Sequence, residues 1–296
     1  MDIGLCLPYM KDGLDRDCIR QWCLRADAGP FSSISCGERI TGPEETLDMR
    51  VTLAFAAALT ERVRIVPSLY ILPLHSAALV AQEVATLDRL SNGRVQLCVG
   101  VGGREKDYQS AGASFQYRHP RMDEQIAQIK RIWLGEPVVD GADPVGCKPY
   151  QSGGPPILAG VMGPKAMARA ARWADGIYAW SMSGRAEEIE QLFTLADHAW
   201  AEAGRDSAPR KVAGFWYCRS ADATAQLNRY VYQYIVGAAG DEIARAIAAG
   251  AQMHNDDAIA RGLDEIQALA ADELLLVPAS ADIGELDAVE KIIQSR

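Results

Sequence analysis

Eight short apolar runs, each followed by a stretch with helical spacing, constrain this chain more than any other feature. "IGLCLP" (Ile3–Pro8) precedes Ile19, Trp22, Cys23 and Ala26 at helical intervals, and "FSSISCG" (Phe31–Gly37) precedes Leu47–Leu59. "VRIVPSLYIL" (Val63–Leu72) precedes a stripe of Leu79, Val80, Val84 and Leu87, and "RVQLCVGV" (Arg94–Val101) precedes Met122, Ile126, Ile129 and Trp133. The series continues with "PPILAG" (Pro155–Gly160) before Lys165–Trp173 and "DGIYAW" (Asp175–Trp180) before Ala186–Ala203. "KVAGFWYC" (Lys211–Cys218) precedes a long helical region, and "DELLLVPA" (Asp272–Ala279) precedes a last helix with Leu286, Val289, Ile292 and Ile293. Strands sandwiched by helices read as unbroken apolar runs, as these do. Eight such units in 296 residues point to an α/β fold, a (β/α)8 TIM barrel, with residues 1–296 as one domain. The rhythm stretches at 102–154 and 219–271, which we read as insertions at the C-terminal mouth. The Gly/Pro-rich loop at 136–156 is the expected lid.

The bulk numbers remove several partners. The chain carries 39 acidic and 30 basic residues, a net charge of −9, without blocks of either sign. Nucleic acid or an anionic membrane would require clustered Lys and Arg. The start, "MDIGLCLPYM", lacks the basic region of a signal peptide, and no apolar run is as long as a membrane span. The expected location is therefore cytoplasmic. The seven cysteines are scattered with no CxxC pair, as reduced core residues would be, with only Cys147 expected as an exposed thiol. The four histidines show neither HxH nor HExxH spacing, so no metal site is expected.

The glycines after the fourth run resemble a nucleotide fingerprint at first sight. A dinucleotide-binding turn needs GxGxxG and an acidic residue ending the next strand. Gly100-x-Gly102-Gly103-Arg104-Glu105 lacks the third glycine, and the segment about twenty residues on, "PRMDEQIAQI", is helical in pattern. At the end of a barrel strand the same bare backbone would let a flat ligand approach.

The block "LPLHSAALVAQEVATLDRLSNGRVQLCVGVGGREKDYQSAG", Leu72–Gly112, resembles the signature of the bacterial luciferase-like monooxygenase superfamily. The resemblance runs from "IGLCLP" through "PPILAGVMGPKAMARAARWADG" (Pro155–Gly176) to the eighth run, and weakens between about 185 and 270. It implies a barrel that binds reduced FMN, or alternatively the deazaflavin coenzyme F420, at the strand C-termini. It further implies a non-proline cis peptide at Ser68–Leu69 against the ring. The turn Gly160, Val161, Met162, Gly163 and Lys165, where Pro164 opens a helix, would hold the cofactor phosphate. Gly100, Gly102 and Gly103 would lie by the ring, with Arg104 as a second phosphate clamp.

One departure bears on catalysis. Many relatives carry a histidine after strand two, where this chain has "CGERITG", so that Arg39 follows Glu38. A guanidinium stays protonated and cannot act as a base. Arg39 can bind an anionic substrate or stabilise negative charge on a reduced ring. The proton carrier would then be Glu38, Glu105, His75 or Tyr108. Trp180 and Met182 are expected to line the substrate cavity, and at most one of Trp216 and Tyr217 can face inward. The family resemblance implies oxygen-dependent oxidation of a small organic substrate, or hydride transfer if the cofactor is F420. No nicotinamide fingerprint is present, so a separate NAD(P)H:flavin reductase, or NAD(P)H itself, would supply electrons. A homodimer is expected. Two other readings stand beside this one: a flavin-binding protein without turnover, and an unrelated barrel enzyme such as an aldolase or metal-dependent hydrolase.

Overall fold

A computed structural model describes all 296 residues. Its eight strands are β1 (Asp2–Cys6), β2 (Ser33–Cys36), β3 (Arg64–Ile71), β4 (Leu97–Gly100), β5 (Ile157–Gly160), β6 (Gly176–Trp180), β7 (Arg210–Tyr217) and β8 (Glu273–Pro278). They pair in chain order, all parallel, and β1 closes on β8. The helices are α1 (Arg16–Ala28), α2 (Met49–Leu59), α3 (Ala77–Leu90), α4 (Glu105–Ser110), α5 (Arg118–Trp133) and α6 (Pro164–Ala170). They continue with α7 (Ala186–Glu202), α8 (Ala223–Ala239), α9 (Asp241–Ala249), α10 (Asp256–Ala268) and α11 (Gly284–Gln294). The alternating arrangement is the (β/α)8 barrel that the apolar runs anticipate.

Local chemistry sets several helix starts. The Asp15 carboxylate accepts from the Cys18 N–H, Asp48 from those of Arg50 and Val51, and Asn255 from that of Ala258. One buried face of each long helix then covers the strands. On α3 that face is Ala77, Val80, Ala81, Val84 and Ala85, whereas Leu79, expected in the stripe, is 57% exposed.

Inside the barrel, Val66, Cys98, Leu158, Tyr178, Val212 and Leu275 form a cluster with one residue from each of β3 to β8. On β1 the neighbouring position, Gly4, is bare, because a Cβ there would lie 2.1 Å from the Ser33 hydroxyl and 2.4 Å from Leu275. Below this layer, at the strand N-termini, the fully buried Glu273 meets Arg64 at 3.0 Å and Arg210 at 3.1 Å. It also accepts from the Ser33 hydroxyl at 2.5 Å. A charged group inside a barrel is tolerable when opposite charge and hydrogen bonds meet it, as here.

The expected lid is a correction. Residues 136–156 run from α5 into β5, and a segment leading into a strand lies at the barrel's N-terminal end. Gln151 there donates its backbone N–H to Asp88 Oδ2 and its side-chain amide to Val95 O, both at 2.8 Å. Arg89 holds the Lys148 carbonyl at 2.7 Å. The mouth is covered instead by the segment that carries α4, after β4, and by α8, after β7. The long helical region after β7 is thus three helices, of which α8 reaches over the opening.

Candidate active site

Strands that end at one face of a barrel bring their last residues together, and here aromatic side chains from β6, β7, the segment after β1 and α8 gather there. A cavity of about 350 Å³ opens at the C-terminal mouth. Tyr9, Tyr178, Trp180, Trp216 and Tyr234 form much of its wall. Their rings meet edge to face: Trp180 and Trp216 have centroids 4.6 Å apart, and Trp216 and Tyr234 5.1 Å apart. Two glycines make the wall possible. A Cβ on Gly37 would lie 2.5 Å from the Tyr9 hydroxyl, and one on Gly214 would lie 2.5 Å from that of Tyr178. Trp180 and Met182 line the cavity, as their place after β6 implies. Of the alternating pair on β7, Trp216 lines it and Tyr217 is buried elsewhere.

Ser68 and Leu69 line the same cavity, and the peptide bond between them is cis. The β3–β4 register shifts between Ser68 and Tyr70. The Leu69 side chain wedges against β4 and β5, which end in glycine to admit it. A Cβ would lie 2.7 Å from Leu69 Cδ1 at Gly100 and 2.4 Å from Leu69 Cδ2 at Gly160. These two glycines therefore make room for Leu69, and Gly100 itself does not line the cavity. At Gly100 the space that a side chain would fill is thus taken by Leu69. Gly102, in the left-handed region at φ 62°, does line the cavity.

The outer end of the cavity lies between α5 and α6. Val161 and Met162 reach it together with His119, Met122, Arg169 and Trp173. Gly163 is the residue preceding α6, and an added Cβ there would meet no atom within 4 Å. Lys165 is exposed and outside the cavity lining. The cation that faces the cavity is Arg169, one turn further along α6, whose Nε donates to Asp123 at 2.9 Å. Burial, followed by the charges of Arg118 and Arg169, pulls the His119 imidazole below its usual range. Sequence reasoning passed over both His119 and Arg169; the only signal was the i, i+4 spacing of Arg169 from Lys165.

The catalytic candidates lie to one side. A second cavity of about 100 Å³ shares Gly102 and Tyr234 with the first and is lined further by Glu38, Arg39, Gly103, Arg104, Asp107 and Tyr108. Glu38 and His75 form one unit: His75 Nε2 lies 2.6 Å from Glu38 Oε1, and Glu38 Oε2 accepts from the Ile71 N–H at 2.6 Å. Neither residue lines the main cavity. The Tyr108 hydroxyl donates to the Val101 carbonyl, and burial holds the phenol above its usual range. Glu105 is exposed in the first turn of α4. Arg104, expected at the phosphate, is another correction. Its guanidinium donates to Thr41 O at 3.0 Å and lies 3.6 Å from Asp107, outside the lining that includes Val161 and Met162.

Chemically, the main cavity is a largely apolar chamber whose cation, Arg169, lies at its outer end. Burial pushes the Cys6 thiol up to about 12, and pushes the Tyr9 and Tyr178 phenols well above their ordinary range. None of the three is a base near neutral pH. The buried Trp180 Nε1 on the lining has no hydrogen-bond partner, and Ser68 Oγ has only the Tyr178 hydroxyl beside it. An unmet donor of this kind is costly unless a ligand satisfies it. A flat ring edged with carbonyl and nitrogen acceptors fits this donor set, and a phosphate tail fits the end at Arg169. No helix of the chain is long and apolar enough to cross a membrane.

Comparison with known proteins agrees with this architecture. Residues 3–291 match the family model described as luciferase-like monooxygenase. An uncharacterised protein of Mycobacterium tuberculosis is 33% identical over 176 residues, covering 57% of this chain and 61% of that protein. The F420-dependent glucose-6-phosphate dehydrogenase of Nocardia farcinica is 31% identical over 172 residues, covering 54% of this chain and 51% of the relative. These matches span about half to three-fifths of each relative's length. Among solved structures, the oxygenating constituent of 3,6-diketocamphane monooxygenase of Pseudomonas putida, in complex with FMN, superposes with a TM-score of 0.72. That comparison covers 99% of this chain and 96% of the other at 17% identity, a likeness of fold. From the barrel, its mouth and the match over nearly its whole length, the chain belongs to the luciferase-like monooxygenase family.

Proposed function

We propose that the chain is an oxidoreductase that takes reduced FMN into the mouth cavity and uses it with oxygen on a small organic substrate. The observation that carries this reading is continuity: Ser68–Leu69, the Gly102 turn and the Val161–Met162 turn line a single cavity. A ring seated there would lie against Ser68 and Leu69, with Trp180 Nε1–H and the Ser68 hydroxyl as donors to its edge. Its phosphate would meet the Val161–Gly163 turn and Arg169, with Lys165 at the rim. When bound, reduced FMN supplies electrons to oxygen and oxygen to the substrate, whereas reduced F420 supplies a hydride.

The chain's own residues bind, orient and exclude water. Tyr9, Tyr178, Trp180, Trp216 and Tyr234 keep the chamber dry, which strengthens each hydrogen bond inside it. Proton traffic, where needed, is assigned to His75 Nε2 and Glu38 Oε1, beside the chamber rather than in it. A second reading, F420 with hydride transfer, is favoured by the Nocardia relative, whose name gives that cofactor. Electrons for FMN would come from a separate NAD(P)H:flavin reductase.

We also assign a homodimer to the α2–α3 face. Val51 and Leu90 there are 71% and 72% exposed and share a groove with Leu79, Arg50 and Glu83. The test of function is titration of purified protein with FMN and with F420, followed by ligand fluorescence. Saturable binding of FMN supports the first reading, binding of F420 alone moves the chain to the second, and binding of neither overturns both.

A further inference from the structure

Arg39 is the only basic residue of the chain in the buried class, at 7% exposure, and no carboxylate lies within 4.0 Å of it. Its Nη2 donates to the Tyr234 carbonyl at 2.6 Å, its Nη1 lies against the Met10 sulfur, and its guanidinium sits 4.8 Å from the centre of the Tyr234 ring. Those contacts hold the side chain in place without neutralising it. An uncompensated buried charge is among the most unfavourable features a fold can carry.

The neighbourhood adds to that cost. Arg104 lines the same 100 Å³ cavity; its buried Nε makes no hydrogen bond and has only the Asp107 carboxylate, 3.6 Å away, as counter-charge. Burial first, and then the charge of Arg39, lower the basicity of Arg104, so the two cations are close enough to repel. Of the two acids that line the cavity, Asp107 is shared between Arg104 and Thr41 and Glu38 is turned to His75, so neither reaches Arg39. Glu38 accepts from Ile71 N–H and pairs with His75, while Asp107 accepts from the Thr41 backbone N–H at 2.9 Å and from the Thr41 hydroxyl. Arg39 is thus the cation of the cavity that is left without an anion. The only borders that the cavity shares with the chamber are Gly102, which has no side chain, and the ring of Tyr234.

We propose that the substrate is a carboxylate, whose apolar body lies in the aromatic chamber and whose carboxyl group passes Gly102 to sit between Arg39 and Arg104. This names the substrate class of the reaction proposed above and rests on that reading for the chemistry, though not for the binding. The carboxylate takes bidentate hydrogen bonds from guanidinium N–H groups, the geometry for which arginine is suited. The position after β2 thus becomes a specificity determinant.

The test uses phenylacetate and phenylacetamide, which differ in charge and little in shape, with the intrinsic fluorescence of Trp180 and Trp216 as readout. Phenylacetate is expected to bind saturably and at least tenfold more tightly than the amide. Arg39→Gln and Arg104→Gln should each remove that preference, while Arg39→Lys, which keeps the charge but not the planar fork, should retain part of it. Thermal unfolding of each variant shows whether it is folded. The titration needs no cofactor, so it stays readable even if FMN and F420 both fail to bind. Equal affinity for acid and amide, no binding of either, or unchanged preference in folded Arg39→Gln would overturn the proposal. So would a result in which Arg39→Gln changes only the midpoint potential of a bound cofactor, since the anion would then be the reduced ring.

Discussion

The two ends of the barrel bury charge in opposite ways. At the floor, Glu273 is fully buried and meets Arg64 and Arg210 directly, with the Ser33 hydroxyl donating to it as well. At the mouth, Arg39 is nearly as buried and meets no carboxylate, while Trp180 Nε1 has no partner. At the floor the buried carboxylate meets its counter-charges within the chain, although Arg64 Nε and Arg210 Nε there lack hydrogen-bond partners; at the mouth the buried guanidinium of Arg39 meets no counter-charge. This matches a general division in such barrels, in which the strand N-termini serve stability and the strand C-termini serve chemistry. It also shows why counting buried polar groups is uninformative until their partners are known.

The contrast can be broken most severely at the floor. Glu273→Gln leaves Arg64 and Arg210 facing a neutral amide, and should cost about 3–5 kcal/mol of stability, read from the urea midpoint. The cofactor affinity of the protein that remains folded should not change. A loss below about 1 kcal/mol would mean that the floor charges are not holding the barrel. At the mouth, Gly160→Ala places a methyl where Leu69 sits. Overpacking of that kind costs about 1–3 kcal/mol, and here it should appear mainly as cofactor affinity weakened about tenfold or more. An unchanged affinity would separate the Leu69 wedge from the binding site.

Smaller effects sharpen the comparison. Trp180→Phe keeps the aromatic wall and removes one unpartnered donor, so cofactor affinity should fall about fivefold, near 1 kcal/mol, with stability unchanged or slightly raised. A loss of stability instead would show that the indole N–H is satisfied within the protein. Leu90→Glu, exposed on the outer surface at the end of α3, should leave binding and unfolding of the single chain nearly unaltered and shift only the mass in sedimentation, from dimer to monomer. A native protein that sediments as a monomer would remove the dimer assignment.

Much of the barrel is legible in the sequence because parallel strands covered on both faces leave uninterrupted apolar runs, and all eight are where those runs lie. The mouth is legible wherever a residue sits at a strand's end: Trp180, Met182, Trp216 and the Val161–Met162 turn all line the chamber. The lid was misplaced because Gly and Pro mark 136–156 as a loop without marking its end of the barrel. Its position between a helix and the next strand carried that information, and places it at the floor. Tyr234, His119 and Arg169 were not legible, because which face of a helix meets the mouth is fixed by how that helix docks. The same limit hid the approach of Arg104 to Arg39 and its absence from the cavity that Val161 and Met162 line. Glu38 and His75, 37 residues apart, were each candidates on their own, and only the fold joins them.

The central claim is that the mouth is the seat of a flat, phosphate-tailed cofactor. A crystal structure of the protein soaked with whichever of FMN or F420 binds in solution tests it directly. The ring should lie in the aromatic chamber against Ser68 and Leu69, within hydrogen-bonding distance of Trp180 Nε1, with the phosphate at Val161–Gly163 beside Arg169. A ring seated outside that chamber, or a phosphate held at the opposite end of the barrel, would contradict the account.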